Sequence, residues 1–251
     1  ACLFVLRKLA AGLPLQFQKT LFEHPGDVLN SLGITMIVTV CGTFFGLLVT
    51  AMAAYVIARP DFKYRNRFSF YFYFTTLFNG GLLSTYIFMV RYLNLKNSLL
   101  AVILPLAVNV FYMLILKSFM QGVPFSIIES AKIDGAGEYR IFFQLVLPLT
   151  KAGLATVGLF LALDYWNDWY NAMLYLDEHE LYPLQYMLYN MMAAKQAIAR
   201  MAARSGIKVA NMPSNSLKMA MAVVAVAPVI LIYPFVQKYF VRGITIGAVK
   251  G

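Results

Sequence analysis

The sequence predicts an all-α integral membrane protein, a single domain over residues 1–251 with about five to six transmembrane helices. The composition points to a bilayer, because 61% of the residues are hydrophobic and only 13% are charged, whereas soluble domains carry about 25% charged residues. The mean hydropathy of +0.68 agrees with this. The apolar residues also lie in long continuous runs, and a helix needs about 20 of them to cross a membrane.

Five apolar runs satisfy the length of a membrane span: residues 33–58, 68–90, 98–118, 150–176 and 217–240. Residues 1–10 are shorter, and we expect them to be the remnant of an incomplete first span. Pro105 predicts a kink in the third run, because proline lacks the backbone N–H and clashes with the preceding helical turn. Asn79-Gly80-Gly81 predicts a break or bend in the second run or, alternatively, close packing of that run against a neighbouring helix.

Basic residues in the short loops predict the orientation, because loops rich in lysine and arginine stay in the cytoplasm. The loop 59–67 contains four of them, whereas the short loop after the second run contains two. We therefore place loop 59–67 in the cytoplasm, and alternation of the spans places 119–149 and the tail after Phe240 there too. The same alternation places 9–32 and 177–216 outside, although 177–216 also contains basic residues.

Residues 124–148, the coupling segment, are polar and lie between two apolar runs. Ser126 followed by Glu129 matches a capping box, in which two side chains satisfy backbone N–H groups at the start of a helix. Gly135 predicts the end of that helix, because glycine takes the left-handed conformation at no steric cost. We expect a short preformed helix that projects from the membrane and is available to a partner protein.

The spacing within the coupling segment resembles a motif of the permease subunits of ATP-binding-cassette (ABC) importers: Glu-Ala-Ala, three residues, Gly, nine residues, Ile, one residue, Leu-Pro. The corresponding residues are Glu129, Ser130, Ala131, Gly135, Leu145, Leu147 and Pro148. Ser130 and Leu145 depart from the commonest residues. Runs at 78–86, 162–176, 181–188 and 233–251 resemble carbohydrate permeases related to the second maltose permease subunit. That group includes oligosaccharide and polysaccharide systems such as alginate importers.

The resemblance implies one half of a translocation path for an oligo- or polysaccharide, completed by a second permease subunit. It also implies two cytoplasmic ATPase subunits that bind ATP and Mg, with no cofactor on this chain, and an extracytoplasmic solute-binding protein. The implied location is the bacterial cytoplasmic (inner) membrane, which the chain crosses several times.

The same resemblance assigns an ATPase-coupling role to Glu129, Ser130, Ala131, Asp134, Gly135, Leu147 and Pro148. Glu129 and Ala131 are expected to face the ATPase, while Gly135 permits the turn that follows. Asp134 is placed to accept charge-assisted hydrogen bonds. Alternatively, Glu129 only caps its own helix, and both roles are compatible.

A second group of polar and aromatic residues interrupts the run 150–176 and predicts a substrate path: Asp164, Tyr165, Trp166, Asn167, Asp168, Trp169 and Asn171. Ionisable groups inside a span are costly and usually face a bundle interior or an aqueous path. Asp164 and Asp168 are predicted to share one helix face, as are Asn167 and Asn171. The alternative is an aromatic belt at the outer membrane boundary.

Two further regions carry open alternatives. Asn109 and Tyr112 follow Pro105 and serve either the substrate path or contacts between helices. Residues 184–204 in the outer loop 177–216 are predicted to form an amphipathic helix. That helix either lies on the membrane surface or forms part of the dock for a binding protein.

Several functions are disfavoured by what the sequence lacks. It has no Gly-Lys dipeptide, and therefore no phosphate-binding loop, and no H-E-x-x-H motif. We predict neither catalytic residues nor a metal site. The net charge of +10 comes from basic residues that flank apolar spans, which indicates contact with membrane lipid rather than nucleic acid.

An ATP-independent secondary transporter or channel is the alternative function, and it would be expected to show inverted repeats. A membrane-embedded enzyme is a further alternative, with Asp164 and Asp168 as its only paired acids.

Overall fold

The computed structural model describes residues 25–78 and 80–204, and all regular secondary structure within these ranges is helical. The α-helices there are α1 (Pro25–Ala58), α2 (Arg65–Leu77), α3 (Gly81–Ile87), α4 (Leu99–Ala107), α5 (Val110–Gln121), α6 (Phe125–Ile133), α7 (Glu138–Ile141), α8 (Leu147–Leu149), α9 (Lys151–Asn167), α10 (Tyr170–Tyr175) and α11 (Leu184–Arg204). A π-helical turn follows α3 at Phe88–Tyr92, and a second one joins α7 to α8 at Phe142–Val146. A 3-10 turn at His179–Leu181 precedes α11.

Helix α1 lies at the centre of this bundle and packs on α4, α5 and α9. Two of its glycines allow the close approach. A Cβ at Gly42 would lie 2.6 Å from the ring of Tyr165, and one at Gly46 would lie 3.0 Å from the carbonyl oxygen of Ala107. Small residues at such contacts let neighbouring helices come together in a membrane protein, where the hydrophobic effect does little to drive association.

By length and apolar composition, the described residues contain one to three helical units able to cross a membrane. Residues Gly26–Ala58 qualify alone, and two bent pairs qualify if each pair counts as one span. These pairs are α4 with α5, bent by 52°, and Glu138–Leu149 with α9, bent by 85°. The predicted run 33–58 lies within α1, which begins earlier because Asp27 and Asn30 are accommodated in its first turns. The predicted runs 1–10 and 217–240 lie outside the described residues.

The breaks in the other runs are partly where the sequence places them. The bend expected at Pro105 is present, but Pro105 lies inside α4 and the chain turns at Val108 and Asn109. In the run 68–90, α2 ends at Leu77 and α3 begins at Gly81, whose φ of +82° favours glycine. Asn79 lies outside the described residues.

Contacts assign the loops to two opposite ends of the bundle. At the end where α1 finishes, Arg59 contacts Glu138 at 2.7 Å. At the end where α1 begins, Asn30 donates to the carbonyl of Glu180 at 2.6 Å, and Lys96 pairs with Asp177 at 2.6 Å. Loop 59–67 and the coupling segment therefore share one end, which is the arrangement that alternation of the spans requires.

Candidate functional site

The coupling segment contains α6, but this helix does not begin with the predicted capping box. Pro124 is the N-cap residue, and no side chain caps the helix. Ser126 lies in the first turn, where its carbonyl accepts a hydrogen bond from Ser130 Oγ at 2.9 Å. The prediction was wrong because α6 begins at Phe125, so that Ser126 already lies inside the helix and is not its N-cap residue.

The end of α6 is as predicted. Gly135 has a φ of +79°, and its N–H donates to the carbonyl of Lys132 at 3.0 Å. The N–H of Ala136 donates to the carbonyl of Ala131 at 2.9 Å. These two bonds form a Schellman motif around Asp134, which satisfies the last carbonyl groups of the helix. The turn after α6 is therefore fixed by backbone geometry that only glycine adopts without strain.

Most of the predicted coupling residues are accessible to a partner. Glu129, Ser130, Asp134 and Pro148 are exposed, while Ala131 and Leu147 are half-buried against the core. Within the described residues, the carboxylates of Glu129 and Asp134 make no hydrogen bond or ion pair. Ile133 is 85% exposed at the end of α6. Exposed carboxylates of this kind can accept charge-assisted hydrogen bonds from another protein.

Sequence reasoning missed a cluster of charges that lies under α6. The Arg59 charge cluster comprises Arg59, Asp61, Lys132 and Glu138. Arg59 Nε donates to Asp61 Oδ1 at 2.7 Å, and Arg59 also pairs with Glu138 Oε2 at 2.7 Å. Lys132 Nζ lies 2.9 Å from Asp61 Oδ2 and 3.3 Å from Glu138 Oε1. Two cations and two carboxylates thus form one connected network of ion pairs.

The cluster holds its acids in the charged form. Hydrogen bonding from Arg59, reinforced by Lys132, holds the pKa of Asp61 well below its usual range. Burial works against ionisation of Glu138, but hydrogen bonds from Tyr55 and Arg59 prevail and lower the pKa of that carboxyl. The pKa of Lys132 is raised by its hydrogen bond to Asp61. All four groups are therefore ionised near neutral pH.

The predicted substrate-path residues are brought together only in part. Tyr112 on α5 donates its hydroxyl to Asp164 Oδ2 on α9 at 2.7 Å, and its ring stacks on Phe160 at 5.8 Å. Asp164 is half-buried. Two residues that were predicted separately, one in each run, therefore form a direct polar contact between helices.

Asp164 and Asp168 do not share a helix face, and neither do Asn167 and Asn171. Helix α9 ends at Asn167, and Asp168 is extended. Asp168 instead accepts hydrogen bonds from the backbone N–H of Asn171 at 3.1 Å and from its Nδ2 at 3.0 Å. The prediction failed because α9 ends at Asn167 and α10 begins only at Tyr170, so that Asp168 lies in the extended link between two helices.

Two of the predicted path residues are packed inside the bundle. Tyr165 is 2% exposed, and its hydroxyl donates to the carbonyl of Ile103 at 2.8 Å. Trp166 is also buried. Their rings therefore contact protein in this structure. Their assignment to the substrate path stays a prediction.

Trp169 lies on the outside of the same region. Its exposed ring stacks on Tyr189 of α11 with the ring centres 4.4 Å apart and the planes at 20°. Tyr170 meets Trp169 edge to face at 5.9 Å. Asn109 caps α5, because its side chain accepts a hydrogen bond from the N–H of Phe111 at 2.9 Å. Its place in the substrate path or between helices stays a prediction.

Helix α11 covers residues 184–204, as the sequence predicts. Leu184, Tyr186 and Met187 are buried, and Arg200 and Arg204 are exposed. Its first turns pack beside α1, where Ser31 Oγ donates to Met187 Sδ at 3.1 Å. The two alternatives for α11, a position on the membrane surface or a contact with a binding protein, both stay predictions. Residues 205–216 of that loop lie outside the described residues.

Known proteins resemble this chain over most of its length, although no protein-family model matches it. It is 40% identical over 224 residues to the polygalacturonan/rhamnogalacturonan transport system permease protein YtcP of Bacillus subtilis (strain 168), covering 89% of this chain and 78% of YtcP. It is 38% identical to protein LplC of the same strain, covering 94% of this chain and 79% of LplC.

A solved structure shares the fold. It belongs to a bacterial ABC transporter involved in the import of the acidic polysaccharide alginate. The similarity has a TM-score of 0.72 at 28% sequence identity and covers 86% of this chain and 76% of that chain. The similarity to both relatives and to this structure therefore extends over the helices that carry the coupling segment and the predicted path.

Proposed function

The chain belongs to the permease subunits of ABC importers for oligo- and polysaccharides, and we propose that α6 is the element through which it is coupled to the ATPase. As a member of this family it is an integral membrane protein and not an enzyme. Family membership also favours the importer over the ATP-independent transporter or channel considered above. ATP hydrolysis is then the task of two partner subunits that bind ATP and Mg.

The single observation that carries the proposal is the shape of α6. It is a short helix closed by a Schellman motif at Gly135, and its exposed surface presents Glu129, Asp134 and Ile133. A transporter has to transmit force from a soluble motor to membrane helices, and a rigid exposed helix with a fixed exit angle is suited to that. Ser130, Ala131, Leu147 and Pro148 complete the proposed joint.

The path itself is proposed to run beside α5 and α9. Tyr112 and Asp164 form its polar contact within the membrane, and Asn167, Asp168 and Asn171 lie towards the outer end. Trp169 stacked on Tyr189 offers a flat aromatic face of the kind on which the C–H faces of sugars pack. A second permease subunit would provide the other half of the path, and a solute-binding protein would deliver the sugar from outside.

We propose an acidic oligosaccharide as the substrate. The support is that YtcP is named for polygalacturonan and rhamnogalacturonan, and that the structural neighbour belongs to an importer of an acidic polysaccharide. Uptake of a labelled acidic oligosaccharide should then be blocked by unlabelled acidic chains but not by neutral chains of equal length. Equal competition by the neutral chains would contradict this choice.

The orientation follows from the same proposal. The end that carries Arg59 and α6 faces the cytoplasm, where ATP is, and the end that carries Asp177 and α11 faces outward. The chain then crosses a bacterial cytoplasmic membrane about five to six times, counting predicted spans in the residues that are not described.

The coupling proposal is tested by a pair of glycine substitutions in the reconstituted assembly. Gly135 and Gly137 both have open space where a Cβ would be, but only Gly135 has a positive φ. Gly135→Val therefore strains the turn after α6, since a β-branched residue rarely adopts that conformation, whereas Gly137→Val fits the extended backbone there. The measurements are sugar uptake and substrate-stimulated ATP hydrolysis in proteoliposomes.

We expect Gly135→Val to assemble with its partners and to lose stimulated hydrolysis and uptake, while Gly137→Val keeps both. If the Gly135→Val assembly imports sugar at the normal rate, then the geometry of α6 does not matter for coupling and the proposal is wrong.

A further inference from the structure

The Arg59 charge cluster joins two parts of the chain that are far apart in sequence, the end of α1 and the region of α6 and α7. Arg59 and Asp61 follow α1, Lys132 lies on α6, and Glu138 begins α7. The bonds between Arg59 and Glu138 span 79 residues, and the bond between Lys132 and Asp61 spans 71. The cluster therefore ties the helices on both sides of the Gly135 turn to the end of α1.

Arg59 is the centre of this cluster. Its side chain is only 8% exposed, and it is bonded to both carboxylates and to the hydroxyl of Tyr55. A charge that is this buried is stable only while its partners stay in place, because an unpaired charge is strongly disfavoured away from water. The guanidinium therefore requires Asp61 and Glu138 to remain where they are.

Tyr55 connects the cluster to the transmembrane bundle. It lies in the last turn of α1, and its hydroxyl donates to Glu138 Oε2 at 2.9 Å. Its ring also packs against Phe142 with the ring centres 5.2 Å apart. Since α1 in turn packs on α4, α5 and α9, a displacement of α7 or α6 reaches the central helix through these bonds.

Lys132 is the member of the cluster that lies on α6 itself. Its side chain is 40% exposed, and it bridges Asp61 and Glu138. Glu129 and Ser130 on α6 are exposed, whereas Lys132 on the same helix contacts Asp61 at the end of α1. The helix thus has one side for a partner and one charged contact to the bundle.

We propose that Arg59, Asp61, Lys132 and Glu138 are positioning residues that transmit the movement of α6 to α1. This inference rests on the proposed role of α6 in ATPase coupling and adds the route by which its movement enters the membrane helices. When the ATPase subunits shift α6, the charged contacts make the end of α1 follow, and the helices packed on α1 rearrange with it. Without those contacts, α6 moves while α1 stays behind, so that ATP is consumed without transport.

The test is the number of sugar molecules imported per ATP hydrolysed by the complete assembly in proteoliposomes. The variants are Lys132→Gln and Asp61→Asn, singly and together, with Lys132→Arg as the conservative replacement. Lys96→Gln is the matched control, because Lys96 is 42% exposed and forms a comparable ion pair with Asp177 at the opposite end of the bundle. A merely structural role would reduce the amount of assembly without changing this ratio.

We expect Lys132→Gln and Asp61→Asn each to lower the ratio about fivefold or more, the lower limit of common coupling effects. The effect of the double variant should be smaller than the sum of the two single effects, because both substitutions remove the shared contact between Lys132 and Asp61. Lys132→Arg should restore the ratio, and Lys96→Gln should leave it unchanged.

A normal number of sugar molecules imported per ATP in Lys132→Gln overturns the inference. If Asp61→Asn fails to assemble, Lys132→Gln alone provides the test. The outcome also separates this inference from the proposed function. If Gly135→Val abolishes uptake while Lys132→Gln keeps a normal ratio, the movement of α6 reaches the membrane helices by another route. If neither variant affects uptake, the proposed role of α6 is itself wrong.

Discussion

The ring of Tyr165 occupies the space that a side chain on Gly42 would need. A Cβ at Gly42 would lie 2.6 Å from the ring, and the ring cannot move aside easily, because its hydroxyl is bonded to the carbonyl of Ile103. This contact sets the distance between α1 and α9. It also shows that Tyr165, a candidate for the substrate path, holds the bundle together.

We expect Gly42→Ala to destabilise the protein by about 1–3 kcal/mol, the usual effect of overpacking a core. Gly33 is the matched control in the same helix, because it has nothing within 4 Å of a new Cβ. There alanine should be neutral or stabilising by about 0.5–1 kcal/mol. Thermal unfolding of the detergent-solubilised assembly measures both, and equal stability of the two variants would show that α9 has room to move.

Asp164→Asn tests the polar contact in the proposed path. The change weakens the hydrogen bond from Tyr112 and removes a charge that a sugar hydroxyl would contact. Loss of one hydrogen bond from a substrate hydroxyl to a charged group costs about 1.5–3 kcal/mol, so we expect the uptake rate to fall about tenfold or more while the assembly stays intact. Tyr112→Phe removes the same bond but keeps the charge, and should have a smaller effect.

If Tyr112→Phe and Asp164→Asn reduce uptake equally, then the contact between helices explains both effects. Asp164 would then not be needed for substrate. The comparison therefore separates a residue that lines the path from one that only joins α5 to α9.

Trp169→Ala tests the aromatic face at the outer end of the proposed path. The substitution removes the ring that stacks on Tyr189, and aromatic contacts contribute about 0.5–1.5 kcal/mol beyond their buried area. We expect uptake at low substrate to fall about two- to tenfold, as such an energy implies. Tyr92→Ala is the control, because Tyr92 is another exposed aromatic residue outside the proposed path. A normal rate for Trp169→Ala would leave this ring with a role at the membrane boundary only.

The Arg59 charge cluster predicts a dependence of stability on pH. The pKa values of Asp61 and Glu138 are lowered in the folded protein, so the unfolded chain binds protons at a higher pH than the folded one. The stabilisation is therefore fully present above the ordinary values of 3.8 and 4.5 and is lost as the pH falls through the lowered values.

We expect Asp61→Asn to lower the unfolding temperature at pH 7, and the difference from the original protein to shrink below about pH 4. Thermal unfolding at a series of pH values provides the measurement. If the difference in unfolding temperature stays constant down to about pH 3, the charge on Asp61 contributes nothing to stability.

The sequence predicts best where one residue determines the local backbone. Gly135 was expected to end α6, and its left-handed conformation confirms this. The amphipathic pattern of 184–204 likewise predicts the bounds of α11. Both signals are local, so no knowledge of the rest of the fold is needed.

The errors arise where two local signals compete or where partners are distant. Helix α6 begins after Pro124, one residue ahead of the apparent capping box. Helix α9 ends at Asn167, although the spacing of Asp164 and Asp168 suits a continuous helix. The bond between Arg59 and Glu138 crosses 79 residues, and nothing in either neighbourhood indicates the partner. Charges in loops are usually solvated, so Arg59 appeared to be only one more basic residue of loop 59–67.

The most direct test of the coupling role of α6 is a photo-crosslink from its exposed end. A photoreactive phenylalanine analogue at Ile133, which is 85% exposed, would react with whatever protein lies against α6. The same analogue at Tyr92, 78% exposed, is the control at the outer end of the bundle. We expect a crosslink between position 133 and the ATPase subunit, and none from position 92. Failure to crosslink the ATPase from 133, or an equal yield from 92, would contradict the assignment of α6 as the coupling helix.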